Sequence, residues 1–241
     1  MANKNATMQR GLRLILPGPP DPAAAQAHQQ PHEDATRDST GLAQVWQEAT
    51  DCLCDYIEGC SALLFPGCRE PADAGWREVL ELGAGAGVCG MFAARCGAAR
   101  VVLSDYHTAV LAALRYNVGQ NDLEERCEVV SLPWGEAPGP GPGVPRLIIG
   151  SDLAPSDATA RLLGATVARL LDPAQSRKHA QTEGGSVFLY AHRERHAVYL
   201  DRQSGAVRVE VEDSAFLALR AALAPHTCRQ VTLIITLVLY L

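Results

Sequence analysis

The stretch Val79-Leu80-Glu81-Leu82-Gly83-Ala84-Gly85-Ala86-Gly87 constrains this chain more than any other. A short apolar run passes into glycines at alternate positions, and a helical pattern, Val88 to Cys96, begins at once. Gly83, Gly85 and Gly87 allow the backbone to turn tightly and to approach a ligand with no Cβ in the way. The helix start adds unpaired N–H groups for polar ligand atoms. Asp105 closes the next apolar run, Val101 to Leu103, where a carboxylate can accept both hydroxyls of an adenosine ribose.

The periodicity around this turn alternates between two kinds of element. Val45, Ala49, Cys52, Leu53, Tyr56 and Ile57 share one face of a helix, and Val110, Leu111, Leu114 and Val118 mark another. Glu128 to Val130, Leu147 to Ile149 and Val187 to Ala191 read as strands. Leu162, Leu163, Val167, Leu170 and Leu171 stripe a further helix, capped by Ser156 or Asp157. Strands alternating with helices imply an α/β, doubly wound Rossmann-like fold, its parallel sheet covered on both faces. Ligands of that class sit at the carboxyl ends of the strands, where the strand order reverses.

Residues 1–39 lack any aromatic side chain, and the run from Pro17 through Arg37 is Pro, Ala, Gln and His with scattered acids, too poor in apolar groups to order itself. We expect a flexible N-terminal segment over 1–39, with Arg13 to Leu16 able to add an edge strand, and one domain over 40–241. At 241 residues the chain accommodates that single domain.

Two cofactors compete for the glycine turn. Gly85-Ala86-Gly87-Val88-Cys89-Gly90 satisfies the G-x-G-x-x-G of dinucleotide folds, and Asp105 follows at the expected separation. Glu81 discriminates: a carboxylate at the strand's end repels a pyrophosphate and suits a ligand carrying positive charge. S-adenosylmethionine, with a sulfonium and an ammonium and no phosphate, is that ligand. A nicotinamide oxidoreductase is the reading it displaces.

Composition narrows the partners. A net charge of -6 and an isoelectric point near 5.6, with no Lys/Arg-rich run, argue against nucleic acid. No stretch approaches the roughly 20 apolar residues of a membrane span; Val231 to Leu241 reads as a buried strand. The cysteines show no C-x-x-C and no zinc spacing, so we expect no metal and a reduced, cytoplasmic protein.

Several motifs in order resemble one group. Glu81 to Gly87 resembles motif I of the class I, seven-β-strand methyltransferases. Thr40-Gly41-Leu42-Ala43-Gln44-Val45-Trp46 is similar to the T-G-x-x-x-W element of the methyltransferase-like protein-lysine methyltransferases, methyltransferase family 16. Val102 to Tyr106, Leu114 to Val118, Leu132-Pro133-Trp134-Gly135 and Ile148 to Asp152 resemble that family's later motifs. The resemblance implies a seven-stranded sheet, S-adenosylmethionine as donor, a protein lysine as acceptor and a monomer. Trp46 and Trp134 would line the donor pocket, Asp105 would hold the ribose, and Ser151 would lie beside the donor. Asp152 would orient the incoming amine or help it shed a proton. Asn117 is expected to pack locally. The family's D-x-x-Y is broken here, since Leu153, Ala154 and Pro155 follow Asp152.

The resemblance also implies a hairpin of two last strands. The sequence shows one clear late strand, Val231 to Tyr240, so the sixth must be irregular or come from the Val207 to Val211 alternation. Transfer to a small molecule or another side chain, and a degenerate fold that binds without transferring, remain the alternative functions.

Overall fold

A computed structural model describes residues 6–15, 47–65, 78–135, 145–172, 186–200, 207–211, 213–224, 226, 228–232 and 236–240. The elements in order are β1 (Ala6–Gln9), β2 (Leu12–Ile15), α1 (Gln47–Gly59), α2 (Ser61–Leu64), β3 (Glu78–Glu81), α3 (Val88–Arg95), β4 (Arg100–Asp105), α4 (Thr108–Gln120), β5 (Cys127–Ser131), β6 (Leu147–Ser151), α5 (Asp157–Leu171), β7 (Val187–His192), β8 (His196–Leu200) and β9 (Val207–Val211). A helix, here α6 (Ser214–Ala222), and the strands β10 (Cys228–Thr232) and β11 (Thr236–Tyr240) complete the chain.

The main sheet has seven strands in the order β10-β11-β7-β6-β3-β4-β5. Its centre is parallel: β3 pairs with β4 and with β6, β4 with β5, and β6 with β7. Alternate residues of these strands enter opposite cores, as the period of two requires. Val79, Val101, Leu103, Ile149 and Leu189 join α1, α3 and α4 on one face. Leu80, Ile148, Phe188 and Tyr190 join α5 and α6 on the other. Successive crossovers run outwards from β3 in one direction and from β6 in the other. The crevice between their carboxyl ends is therefore the switch point of the sheet.

The last strands correct an expectation. Val231 to Tyr240 is not one strand: it divides between β10 and β11, which pair antiparallel, with β11 also antiparallel to β7. The apolar run is continuous in composition, so only the pairing reveals the break. The Val207 to Val211 alternation supplies no strand of the main sheet; as β9 it pairs with β8 in a separate two-stranded ribbon.

Part of the N-terminal segment is also built in. β1 and β2 form a hairpin outside the main sheet, so Arg13 to Ile15 add no edge strand to it. Leu12 and Leu14 are buried in the core of α3 and α4. Polar bonds fasten the hairpin from both sides. Arg10 reaches Asp51 at 3.1 Å and Asp55 at 2.6 Å on α1. Asn121 accepts from the Arg13 N–H at 2.8 Å and donates to its carbonyl at 2.7 Å. The remainder of segment 1–39 lies outside the described residues.

Truncating Leu14 to Ala should cost about 2–5 kcal/mol, the range for a buried leucine. Denaturant unfolding of the full chain is expected to show a single transition at a lower midpoint. A native-like midpoint would mean that the hairpin does not fold with the domain.

Candidate functional site

Local chemistry builds the crevice from β3 outwards. Gly83, Gly85 and Gly87 take φ of 55°, 54° and 81°, the left-handed region that side chains avoid. The turn is also crowded: a Cβ on Gly83 would stand 2.8 Å from Leu153 Cδ2 and 3.1 Å from Trp134 Cζ2. Backbone bonds tie the loop to its neighbours. The Ala84 N–H donates to the Ser104 carbonyl at 2.8 Å, and the Ser104 hydroxyl donates to the Glu81 carbonyl at 2.7 Å. Asn117, fully buried on α4, donates its amide to the Ala86 carbonyl at 3.0 Å, a local packing role that holds the loop from beneath.

Glu81 departs from expectation. Its side chain is buried, and Oε2 accepts from the Gly90 N–H at 2.8 Å in the first turn of α3. The Cys89 N–H bonds to the same carboxyl. Burial raises its pKa to about 8, with Asp105 adding to the rise and the two N–H donors opposing it. The group is thus sealed under the loop and largely protonated at neutral pH, because desolvation disfavours its charge. It does not present a negative charge to a cationic ligand. Glu81 still discriminates between the two cofactor readings, by occupation: its carboxyl takes the first-turn amides that a phosphate at a helix N-terminus would use.

Asp105 ends β4 at the mouth of the crevice and is half-buried. Oδ1 accepts from the N–H groups of Tyr106 at 2.8 Å and His107 at 3.0 Å. Oδ2 accepts from the Gly85 N–H at 3.3 Å. A carboxylate has about four acceptor positions, so capacity remains on this partly exposed group for hydroxyl donors. Tyr106, which the sequence reading passed over, exposes 65% of its surface beside it. Trp134 follows β5 half-buried, with its ring edge against Gly83. Ser151 ends β6, its hydroxyl 3.2 Å from that of Thr50 on α1, a second residue the sequence did not single out. Trp46 lies outside the described residues.

Asp152 requires a correction. Its side chain is enclosed by protein, with Oδ1 3.3 Å from His192 Nδ1 and 3.2 Å from Arg195 Nη2. A carboxylate so enclosed and paired is not placed to meet an incoming amine. Sequence reasoning missed His192, Arg195 and Asp213. The available signals were weak: a polar residue one step past the Val187 to Ala191 run, and an Asp in cap position before α6.

The site sits where the fold places ligands. A family model described as lysine methyltransferase matches residues 27–200. The chain belongs to the lysine methyltransferase family. The chain is 33% identical over 132 residues to EEF1A lysine methyltransferase 3 of Mus musculus, covering 54% of this chain and 51% of that protein. It is 31% identical over 100 residues to ribosomal protein L11 methyltransferase of Pelobacter propionicus, covering 42% and 29%. The match thus spans about half the length of the first relative and less of the second. In fold, the crystal structure of PH0793 from Pyrococcus horikoshii aligns with a TM-score of 0.53 at 11% identity, covering 99% of this chain and 72% of that one.

The buried acid makes stability depend on pH. Glu81 has a folded pKa of about 8 against an ordinary value of 4.5, so between these the folded state binds more protons than the unfolded state. Its contribution is full below about pH 4.5 and is lost as pH rises towards 8, by up to about 1.4 kcal/mol per pH unit. In E81Q that fall should disappear from unfolding free energies measured between pH 5 and 8. A slope equal to wild type would place the titration elsewhere.

Proposed function

We propose that this protein is an S-adenosylmethionine-dependent methyltransferase that methylates a lysine side chain of a protein substrate. One observation carries the donor assignment. At the switch point, the glycine loop faces an acid with acceptor capacity to spare, while the helix amides that would hold a phosphate are filled by Glu81. That donor set fits a nucleoside without phosphate. Family membership supports lysine as the acceptor.

Asp105 would hold the ribose hydroxyls. Trp134 would supply an apolar wall, with Trp46 as its expected counterpart. Gly83, Gly85 and Gly87 would let the backbone come close, and Ser151 would line the β6 side. S-adenosylmethionine, when bound, supplies a methyl group on a sulfonium that is already a good leaving group. The residues here need only align a neutral amine and exclude water, a task of proximity and desolvation. No general base is required, which agrees with the enclosure of Asp152.

Among the described residues no helix is long and apolar enough to cross a membrane. Cys52, Cys54, Cys60, Cys89, Cys96 and Cys127 are free. We take the protein to act in the cytoplasm, where thiols stay reduced.

A second reading has its own support. The absent D-x-x-Y tyrosine, with Pro155 at its position, favours a module that binds donor without transferring its methyl group.

Calorimetry and thermal shift with S-adenosylhomocysteine and with NAD separate the cofactors. The former is expected to bind and raise the melting temperature by mass action, the latter to do neither. Asp105→Asn should weaken S-adenosylhomocysteine by roughly 10- to 100-fold, since hydrogen bonds to a charged group contribute about 1.5–3 kcal/mol. Incubation with labelled donor and a lysate from cells lacking the gene then separates enzyme from binding module. A labelled protein band, lost when lysines are blocked, is expected of the enzyme. Donor binding with no label on any band would favour the binding module.

A further inference from the structure

Beside the crevice, the carboxyl edge of the sheet holds a buried charged cluster that the proposed reaction does not use. His192, the last residue of β7, is 1% exposed, and each of its ring nitrogens meets a carboxylate. Nδ1 lies 3.3 Å from Asp152 Oδ1, and Nε2 lies 2.5 Å from Asp213 Oδ2. Asp213 is itself fixed, accepting from the Phe216 N–H at Oδ1 and the Arg195 N–H at Oδ2, both at 3.1 Å. It thereby caps α6. Arg195 returns Nη2 to Asp152 Oδ1 at 3.2 Å. The His192 ring lies flat on Phe216, with centroids 4.4 Å apart and planes at 11°.

These contacts converge on the turn after β6. Asp152 has a φ of 49°, a left-handed conformation that is uncommon outside glycine, although Asp enters it more readily than most side chains. Such a conformation persists where the surroundings over-determine it. Here the Asp152 N–H donates to the Ala191 carbonyl at 2.9 Å, and the Leu153 N–H donates to the buried Tyr190 hydroxyl at 3.0 Å. That hydroxyl lies 3.4 Å from His192 Nδ1, so it belongs to the same cluster. Leu153 then presses its side chain against the glycine loop, where its Cδ2 would stand 2.8 Å from any Cβ on Gly83. Force at His192 thus reaches the donor loop in two steps.

We propose that His192, clamped by Asp213, is a positioning residue for the donor site: it locks the Asp152 turn, which through Leu153 sets the glycine loop. The inference rests on the crevice being the donor site, as proposed above. A buried ionic cluster is a poor source of net stability, because desolvation offsets its attraction, and fixing one geometry is its better-attested use. Asp152 acts here by holding a backbone.

Amide hydrogen exchange on the ligand-free full chain tests the link, comparing wild type with H192F and D213N. H192F keeps an aromatic ring, somewhat larger, to stack on Phe216 while removing both ring nitrogens. The amides of Asp152 and Leu153 should exchange about tenfold faster or more as the turn opens locally, and those of Gly83 to Gly87 should follow, with β4 and β5 unchanged. S-adenosylhomocysteine affinity by calorimetry should fall about tenfold, a 1.4 kcal/mol loss. Loosening confined to β7 and α6, with the glycine loop at wild-type rates, would overturn the proposal, because a purely structural role predicts that pattern. Affinity within twofold of wild type in a folded variant would overturn it equally. If H192F fails to fold by circular dichroism, D213N decides alone, since its amide oxygen still caps α6. The exchange experiment needs no ligand. A wild type that ignores S-adenosylhomocysteine would therefore defeat the donor reading, while exchange would still decide whether the clamp governs the loop.

Discussion

The buried bond between Glu81 and the first turn of α3 organises the centre of this protein. It joins the end of the central strand to the start of the helix that the strand feeds, across three left-handed glycines. With the helix amides satisfied from within, the loop can remain open on its outer side without leaving polar groups unpaired in the core. The cost is a carboxyl group held away from water, which raises its pKa. The same bond bears on ligand chemistry, because the Cys89 and Gly90 amides it takes are ones that a phosphate at a helix N-terminus would use.

Around that bond, the two lips of the crevice are held by different means. The β3–β4 lip relies on backbone and short polar contacts: Ala84 to Ser104, Ser104 to Glu81, Asn117 to Ala86. The β6–β7 lip relies on buried charge, with His192 between two carboxylates and Asp152 in a left-handed conformation. Leu153 and Trp134 meet at Gly83, so the lips are in contact through apolar surface. Tyr190, on β7, places a hydroxyl behind the Asp152 turn, although it is buried and faces the backbone.

Much of this was legible in the chain itself. The alternation of apolar runs with helical stripes indicated a doubly wound sheet, and the glycines after Leu82 marked its ligand-binding turn. Asp105 was legible because a strand end beside a switch point is exposed by topology. Glu81 was legible as a discriminator, but the reason assigned to it failed: sequence shows that an acid follows the strand, and only packing shows that it turns inward. Asp152 failed for a related reason. A motif position implies proximity to the site, whereas the direction of a side chain depends on partners distant in sequence, here at 192, 195 and 213. The division of Val231 to Tyr240 was hidden because no glycine or proline interrupts the run and only the antiparallel pairing sets the two strands apart.

Local chemistry in the sequence determined which elements form and where the backbone must turn, because periodicity and glycine act over a few residues. It also determined that an acid would stand at each of the strand ends that border the crevice. Tertiary structure decided which of those acids stays accessible at the crevice. Asp105 stays half-exposed, Glu81 is spent on a helix and Asp152 on a histidine. That choice is made by burial and by partners that only folding brings together.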